Sequence, residues 1–566
     1  MMLDRQVHIN VTPNLLTPNA ENYIGRVTVS SIVVLVVTFI VTFLLLTGAE
    51  RIAATRSHAI VRQTPVKPTR RWFWIFASIM AICWLPWLLS YYPGGVFPDT
   101  YWVYDMIAGR IPLTNHQPVF YTGLNAVVFY VTQSVLHLPT EISVLTMTML
   151  QYLFMAFSLA YFLQWLLKRG VSRVVVVIVL SYFSLFPLFF YYASSNWKDT
   201  WFSIVVFLFS VFLVDVVRAR ATNLCTRGGI AQFLWLAFAI SWFRNNGVYI
   251  VAVTVIILLI VYRRVLLTPF FSFRKAGGAE TSPKQPLARR LPAFLIAAAA
   301  LIITTGVVQD SVFNRLGFNP DQALETYGIP IQQVCSVIAN GGNVTPAEHA
   351  VFDRIVKPEI IDVYFSPNGV DTVKQYLDDQ AKAYLSDNQG AFLKTWLGVV
   401  LRNPGLATKA YLLTTLGFWD PVRGTQDGYM MQGLAPGAKW YDLVQRDVIF
   451  DHTGISVGGV LAPRYYFSAA LFCWIALFCL SVLIMRRKFL LLVPFVPMLA
   501  LWGTVMFTTP LAFSLRYVFA FVPFVPLATA LALDTERWMT AVSADAVDSG
   551  QVDEGLMGQI TQGTEE

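Results

Sequence analysis

The sequence predicts an all-α integral membrane protein with about eleven transmembrane helices, on three observations. The first is composition: 56% of residues are hydrophobic and 13% charged, where a soluble domain carries about 25% charged residues. The second is a series of apolar runs near the ~20 residues needed to cross a hydrocarbon layer of about 30 Å. In lipid every backbone amide needs an internal partner, so such runs are helices. The third is that basic residues gather in alternate short loops.

The expected spans are 27–48, 72–91, 142–167, 174–193, 201–217, 230–242, 247–262, 292–308, 467–485, 489–507 and 511–533. Two of them, 230–242 and 247–262, are short and flank Arg244-Asn245-Asn246, which suggests a hairpin with its tip below the membrane surface. Orientation follows from the loops. Arg51, Arg56, Arg62, Lys67, Arg70 and Arg71 follow the first span; Lys168, Arg169 and Arg173 follow the third; Arg218, Arg220 and Arg227 follow the fifth. The loop after 262 holds Arg263, Arg264, Arg274, Lys275, Lys284, Arg289 and Arg290, and Arg486, Arg487 and Lys488 close the series. All fall on the cytoplasmic side if the N-terminus is outside and the C-terminus inside. That parity requires that 119–136 not cross. Its Tyr121, Thr122, Asn125, Tyr130, Thr132, Gln133 and Ser134 suit a helix lying along the interface.

The resulting division is 1–71, an extracytoplasmic tail, a span and a basic loop; 72–308, a membrane core with its first outside loop at 92–140; 309–464, an extracytoplasmic helical region; 465–537, the C-terminal spans; and 538–566, an acidic, disordered cytoplasmic tail. In the third part Thr345-Pro346-Ala347-Glu348 reads as a capping box, and 392–401 and 406–416 read as amphipathic helices. The first span is preceded by 26 mostly polar residues, unlike a cleaved signal peptide. A net charge of +8 would suggest nucleic acid in a soluble protein; here the basic residues follow topology, and nucleic acid is excluded as a partner. Five cysteines, Cys83, Cys225, Cys335, Cys473 and Cys479, show no metal-ligand spacing, so neither disulfides nor a zinc site is expected.

The chemistry-bearing residues sit at span ends on one side. The first outside loop holds Asp99, Asp105 and Asn115-His116-Gln117-Pro118. A partly desolvated carboxylate such as Asp99 can act as a general base; the plainer alternative is an N-cap of a helix starting at Thr100. His116 can bind a phosphate or sugar hydroxyl or assist proton transfer, or merely cap the next helix. Lys198 and Asp199 open the fifth span, where an ion pair needs a partner or ligand; otherwise Lys198 snorkels and Asp199 caps. Arg244 offers a fork to phosphate oxygens and Asn245 and Asn246 offer amides, although Asn-Asn-Gly is also turn chemistry. Arg516-Tyr517 lies just inside the last span, where an arginine faces a cavity or snorkels outward. No nucleotide-binding loop, Ser-His-Asp set or metal-binding pair of histidines stands out, which argues against a nucleotide sugar or ATP as substrate.

Together these features resemble the GT-C superfamily of membrane glycosyltransferases, which includes protein O-mannosyltransferases and lipid A aminoarabinose transferases. The resemblance runs from about residue 72 to 533. It rests on Pro98-Asp99 after a span, on Asn115-His116-Gln117-Pro118 opening an interfacial helix like the superfamily's His-Pro-Pro stretch, on Asp199 and on Arg244. It also rests on Arg516-Tyr517-Val518 with Pro523 and Pro526, like an Arg-Tyr-x-x-Pro pattern. The strings from Pro93-Gly94 to Asp99, Trp197-Lys198-Asp199, Arg244-Asn245-Asn246-Gly247 and Ile329-Pro330-Ile331-Gln332-Gln333 resemble more closely an uncharacterised bacterial family of glucosyltransferase-like membrane proteins.

The resemblance implies inverting transfer of a sugar from a polyprenyl-phosphate donor to a cell-envelope acceptor outside the plasma membrane. Asp99 would be the base. Asp105, His116, Lys198, Asp199, Arg244, Asn245, Asn246, Arg516 and Tyr517 would bind substrate. Gln117 replaces the superfamily's proline after His116, and 27–48 is an addition to the usual plan. No resident cofactor is implied; a divalent cation stays open, because members differ in using one. Competing classes are a transporter, which would show an internal repeat and a mid-bilayer site, a flippase, a polymerase or ligase of lipid-linked glycans with its arginines in one large loop, and an assembly protein.

Overall fold

The computed structural model describes residues 69–263, 298–303, 305, 315, 317, 323–367, 369–421, 439–440, 443–444, 446–448, 468–508, 514–533, 538 and Gly48. The span expected at 27–48, save Gly48, residues 51–68, most of 292–308 and the acidic tail lie outside these residues. The regular structure among the described residues is helical apart from a hairpin of two two-residue strands, β1 (Lys439–Trp440) with β2 (Leu443–Val444), and two isolated bridges, Tyr92 with Arg446 and Gly95 with Ser195.

Membrane-type helices come first: α1 (Arg70–Ser90), α2 (Pro98–Ile107), α3 (Val119–Phe129) running into a π turn at Tyr130–Val135, α4 (Thr140–Lys168), α5 (Arg173–Leu185), α6 (Pro187–Ser194), α7 (Lys198–Arg218), α8 (Arg227–Phe243) and α9 (Gly247–Val261). A smaller unit follows with α10 (Gly328–Ala339), α11 (Pro346–Phe352), α12 (Pro358–Tyr364), α13 (Asp379–Asp387), α14 (Gln389–Arg402) and α15 (Pro404–Thr414). The chain returns to apolar helices with α16 (Ala469–Met485), a 3₁₀ stretch at Phe489–Phe495 leading into α17 (Val496–Thr508), and a 3₁₀ turn at Leu515–Val518 leading into α18 (Phe521–Leu533).

By length and composition five helices are able to cross a membrane: α1, α4, α7, the Phe489–Thr508 helix and the Leu515–Leu533 helix. The pair α5–α6 makes six if counted as one span. This corrects the single run expected at 174–193: the two helices meet at 52°. The cause is Pro187, which drives its predecessor out of the α region; Phe186 is extended at φ −74°, ψ 123°.

Helix α7 is the pillar of the bundle. It packs against α4, α8, α17, α18 and both 3₁₀ segments, and Ile204, Val206, Phe207, Phe209, Leu213 and Val214 are fully buried. Lipid tails are as apolar as these side chains, so the contact is held by close packing rather than by escape from water. Ser203 and Ser210, also fully buried, let neighbouring backbones approach. Because α7 is central, its first residues, Lys198 and Asp199, open at the middle of one end of the bundle.

Two loops are fixed at that same end. The Gly95 N–H donates to the Ser194 carbonyl at 2.9 Å, and the Asn196 N–H donates to the Gly95 carbonyl at 2.8 Å. These bonds tie the segment before Asp99 to the segment before Lys198. Gly94 makes the approach at φ +134°, where a Cβ would fall 2.2 Å from Thr148 Oγ1. Gly247 does the same for the α8–α9 hairpin: a Cβ there would meet the Ile240 carbonyl oxygen at 2.0 Å.

The smaller unit has its own apolar core around Ile331, Val334, Val337, Phe352, Val356 and Phe392. The capping box at Thr345 and Glu348 forms, and α14 and α15 cover the two amphipathic stretches expected there. The string Ile329-Pro330-Ile331-Gln332-Gln333 opens α10 and places Ile331 in this core, with Gln332 and Gln333 buried beside it. Gln333 Nε2 donates to the Ala407 carbonyl at 3.1 Å, and its Oε1 accepts from Trp396 Nε1 at 2.8 Å.

Candidate functional site

Residues from four segments meet where α2, α7, the α8–α9 tip and the Leu515–Val518 turn converge. Asp99 lies in the first turn of α2, after Pro98 at the first helical position; the N-cap is Phe97. Asp199 likewise lies inside α7, whose N-cap is Trp197. Neither carboxylate serves as the N-cap that the sequence also allowed. Both sit in a first turn, where the helix dipole favours negative charge.

Arg516 Nη1 donates to Asp99 Oδ2 at 2.9 Å, and Lys198 Nζ lies 3.7 Å from the same oxygen. Arg244 Nη1 donates to Asp199 Oδ1 at 2.8 Å. Tyr517 joins the two pairs: its hydroxyl accepts from Arg516 Nη2 at 2.9 Å, and the Arg244 and Arg516 guanidinium carbons lie 4.7 and 4.8 Å from its ring centre. Arg516 also lies over Trp197 at 5.6 Å. Asp199 is 0% exposed, whereas the Asp99 side chain is 29% exposed.

The remaining residues fall around this centre. Asn245 Nδ2 donates to the Asn115 carbonyl at 3.1 Å, and Asn246 Nδ2 donates to Thr504 Oγ1 of α17 at 3.0 Å. The His116 ring lies 5.9 Å from the Trp102 ring, near enough for its charge to act on Asp99. Asp105 is not brought in. It stands two turns along α2 on another face and pairs with Arg110 at 4.0 Å; six residues along a helix turn a side chain well away from Asp99.

A second set holds the centre in place; the sequence reading named Gln117, only as the residue after His116, and gave it no role there. Gln117 accepts from Lys198 Nζ. Asn196 accepts from the Tyr121 hydroxyl at 2.7 Å and donates to the Tyr104 hydroxyl at 2.6 Å, while Thr100 donates to its carbonyl at 2.6 Å. Gln151 accepts from the Trp197 N–H at 3.1 Å and donates to the Tyr192 carbonyl at 2.8 Å. Gln151 carried a signal, since a polar side chain within an apolar span marks a buried partner. The others have none, because their bonds join distant segments.

Burial alone would raise the pKa of Asp99; the charges of Arg516, Lys198, His116 and Arg244 outweigh it and hold the carboxyl well below the usual carboxylate range. The sign follows. A carboxyl whose folded-state pKa is depressed stabilises the fold above its unfolded pKa, near 4, and that contribution fades as pH falls through the folded value. The difference in melting temperature between the wild type and Asp99→Asn is therefore expected not to shrink from pH 8 to about 4 and to shrink below it. Thermal melts in detergent across that range check this; a difference that shrinks already at pH 6 would contradict it.

Among the described residues no group of three or more His, Cys, Asp or Glu side chains comes together. A divalent cation fits this centre poorly on its donor chemistry: Asp99 and Asp199 each already bind an arginine, and Lys198 stands beside them.

Fold and site thus define a multi-pass helical membrane protein with an ion-pair cluster at one end of its bundle. A model of a family of unknown function (DUF6020) matches residues 90–273 and 288–546, and the chain belongs to that family. No curated protein and no solved structure matches it.

Proposed function

We propose that the chain is a membrane glycosyltransferase of GT-C type that transfers a sugar from a polyprenyl-phosphate donor to an acceptor in the cell envelope. In this reading the protein has eleven spans in the plasma membrane, with its N-terminus outside, its C-terminus cytoplasmic, and the cluster on the outer face. The observation that carries it is the convergence of Asp99 with Lys198, Arg244 and Arg516. Three cations against two carboxylates, Asp99 and Asp199, leave one net positive charge. That balance suits a phosphodiester, whose single negative charge a forked guanidinium binds well.

The donor phosphate enters beside Asp99 and competes for Arg516 and Lys198. As they turn to the phosphate, Asp99 loses the charges that depress its pKa and becomes a better base. It takes the proton of the acceptor hydroxyl, whose oxygen attacks the anomeric carbon from the face opposite the phosphate. The bond between that carbon and the phosphate oxygen breaks, and its electron pair leaves with the lipid phosphate. Arg516, Arg244 and Lys198 stabilise the charge that develops there. His116, Asp199, Asn245 and Asn246 position sugar and acceptor.

The test is transfer from a radiolabelled polyprenyl-phosphate hexose in proteoliposomes, with a cell-envelope fraction as acceptor. Asp99→Asn is expected to lower transfer by roughly a hundredfold or more. Transfer at the wild-type rate with normal expression would remove Asp99 from the chemistry.

A further inference from the structure

The loop that leads to Asp99 is bonded on both of its sides. On one side Gly95 pairs with Ser194 and Asn196, the residues before Lys198. On the other side a strap from the region between α15 and α16 crosses it. The Arg446 N–H donates to the Tyr92 carbonyl at 3.0 Å, and the Val448 N–H donates to the Leu89 carbonyl at 3.0 Å. Leu89 lies in the last turn of α1, where carbonyls have no partner within their own helix. Side chains repeat the tie. Arg446 Nη2 donates to Glu141 Oε1, in the first turn of α4, at 2.8 Å, and the Arg446 guanidinium carbon lies 5.2 Å from the Tyr92 ring centre. Glu141 and Arg446 both act on the Tyr92 hydroxyl.

The Arg446 side chain is 56% exposed and that of Glu141 28%, and an ion pair so open to water adds little stability by itself. Its geometry points to another use. Three residues separate Gly95 from Asp99. Two of them, Val96 and Phe97, are buried, and the Phe97 ring stacks on Trp197 with centres 3.9 Å apart. A displacement of Tyr92 or Gly95 is therefore carried along a packed segment to the carboxylate. We infer that Arg446 is a positioning residue, and that the strap 446–448 holds the loop 89–95 where Asp99 meets Arg516. The inference rests on the reading of Asp99 as the base of the proposed transfer. It adds that the long segment between the two sets of apolar helices sets the place of that base.

Two variants of the full chain break the tie in different ways. Arg446→Ala removes the ion pair and the ring contact, and Val448→Pro removes the N–H that Leu89 accepts from. Each is expected to lower transfer in the proteoliposome assay by about tenfold, the scale of a small misplacement at a reacting group. Each is also expected to move the acid limb of the pH–rate profile to higher pH. Asp99 is faced by the charges of Arg516, Lys198, His116 and Arg244, and a carboxylate that drifts from such cations is protonated sooner as pH falls. Val448→Ala is the control: the side chain is 53% exposed and the N–H stays, so wild-type transfer is expected. Arg446→Lys keeps a cation for Glu141 and the Tyr92 ring and is expected to stay within about threefold of the wild type.

Thermal melts in detergent probe the placement without any transfer. Asp99→Asn is expected to lower the melting temperature less in the Arg446→Ala background than in the wild type, because Asp99 has there already lost part of its hold on Arg516. An unmoved acid limb in both variants, additive melts, or a Val448→Ala variant as impaired as Val448→Pro would each overturn the inference. A wild type that transfers no sugar would remove the proposed function instead, and the melts would then decide whether the strap places Asp99.

Discussion

Arg516→Met is expected to lower transfer by about a thousandfold or more, because one change removes two contributions to the transition state. The guanidinium is the closest cation to Asp99, at 2.9 Å, and it is held by the Tyr517 hydroxyl and the faces of Trp197 and Tyr517. A fork preset in this way loses little on gripping a phosphodiester. Its removal takes away the cation proposed to stabilise the leaving phosphate. It also leaves Asp99 with Lys198, 3.7 Å away, as its nearest cation, so the pKa of the carboxyl rises. Arg516→Lys keeps the charge but loses the fork and the stacking, and is expected to recover less than about tenfold of the loss. The acid limb of the pH–rate profile should move to higher pH in Arg516→Met, since a base with a raised pKa is protonated sooner as pH falls. Transfer within tenfold of the wild type, or an unmoved acid limb, would show that Arg516 serves packing alone.

Some of this was legible along the chain and some was not. Arg244 stood out because an arginine between two short apolar helices has no local reason to be there. The hairpin followed from Asn-Asn-Gly and the shortness of its arms, and the structure adds why the glycine is needed: the Ile240 carbonyl fills the place of a side chain. Asp99 and Asp199 were legible as acids at span ends but open to a capping role, and only coordinates place both inside their helices. Asp105 was expected to bind substrate as a neighbour of the base Asp99; helix rotation sends it to Arg110 instead.

The pairing of Arg516 with Asp99 joins residues 417 positions apart, and no local pattern encodes such a contact. The same holds for Asn196, whose bonds reach Tyr104, Tyr121 and Thr100. The break in the run 174–193 was present in the sequence as Pro187, yet unbroken hydropathy masked it. Hydropathy registers composition and is blind to a single extended residue.

The pair of Arg244 with Asp199 carries the second large expectation, and it concerns stability. Asp199 is wholly buried and Arg244 is 16% exposed, and each is the other's directly bonded charge partner at 2.8 Å. Removing one partner strands the other, a loss of about 3–5 kcal/mol. Arg244→Ala and Asp199→Leu are each expected to lower the melting temperature steeply in detergent. The double variant Asp199→Leu/Arg244→Met replaces the pair with apolar groups and leaves no stranded charge, so most of the lost stability should return.

Activity should not return with it, because the double variant still lacks the cation proposed for the leaving phosphate and the carboxylate in the first turn of α7. That divergence separates two roles that single variants confound. Stability and transfer recovering together would make the pair structural only, and single variants as stable as the wild type would mean that the ion pair does not form. Evolution had a cheaper way to hold this end of the bundle, since well-packed leucine and methionine meet the structural need without charge desolvation. The proposed function supplies a second reason for the charges of Arg244 and Asp199, as a cation and a carboxylate beside the donor, and the double variant tests that reason apart from packing.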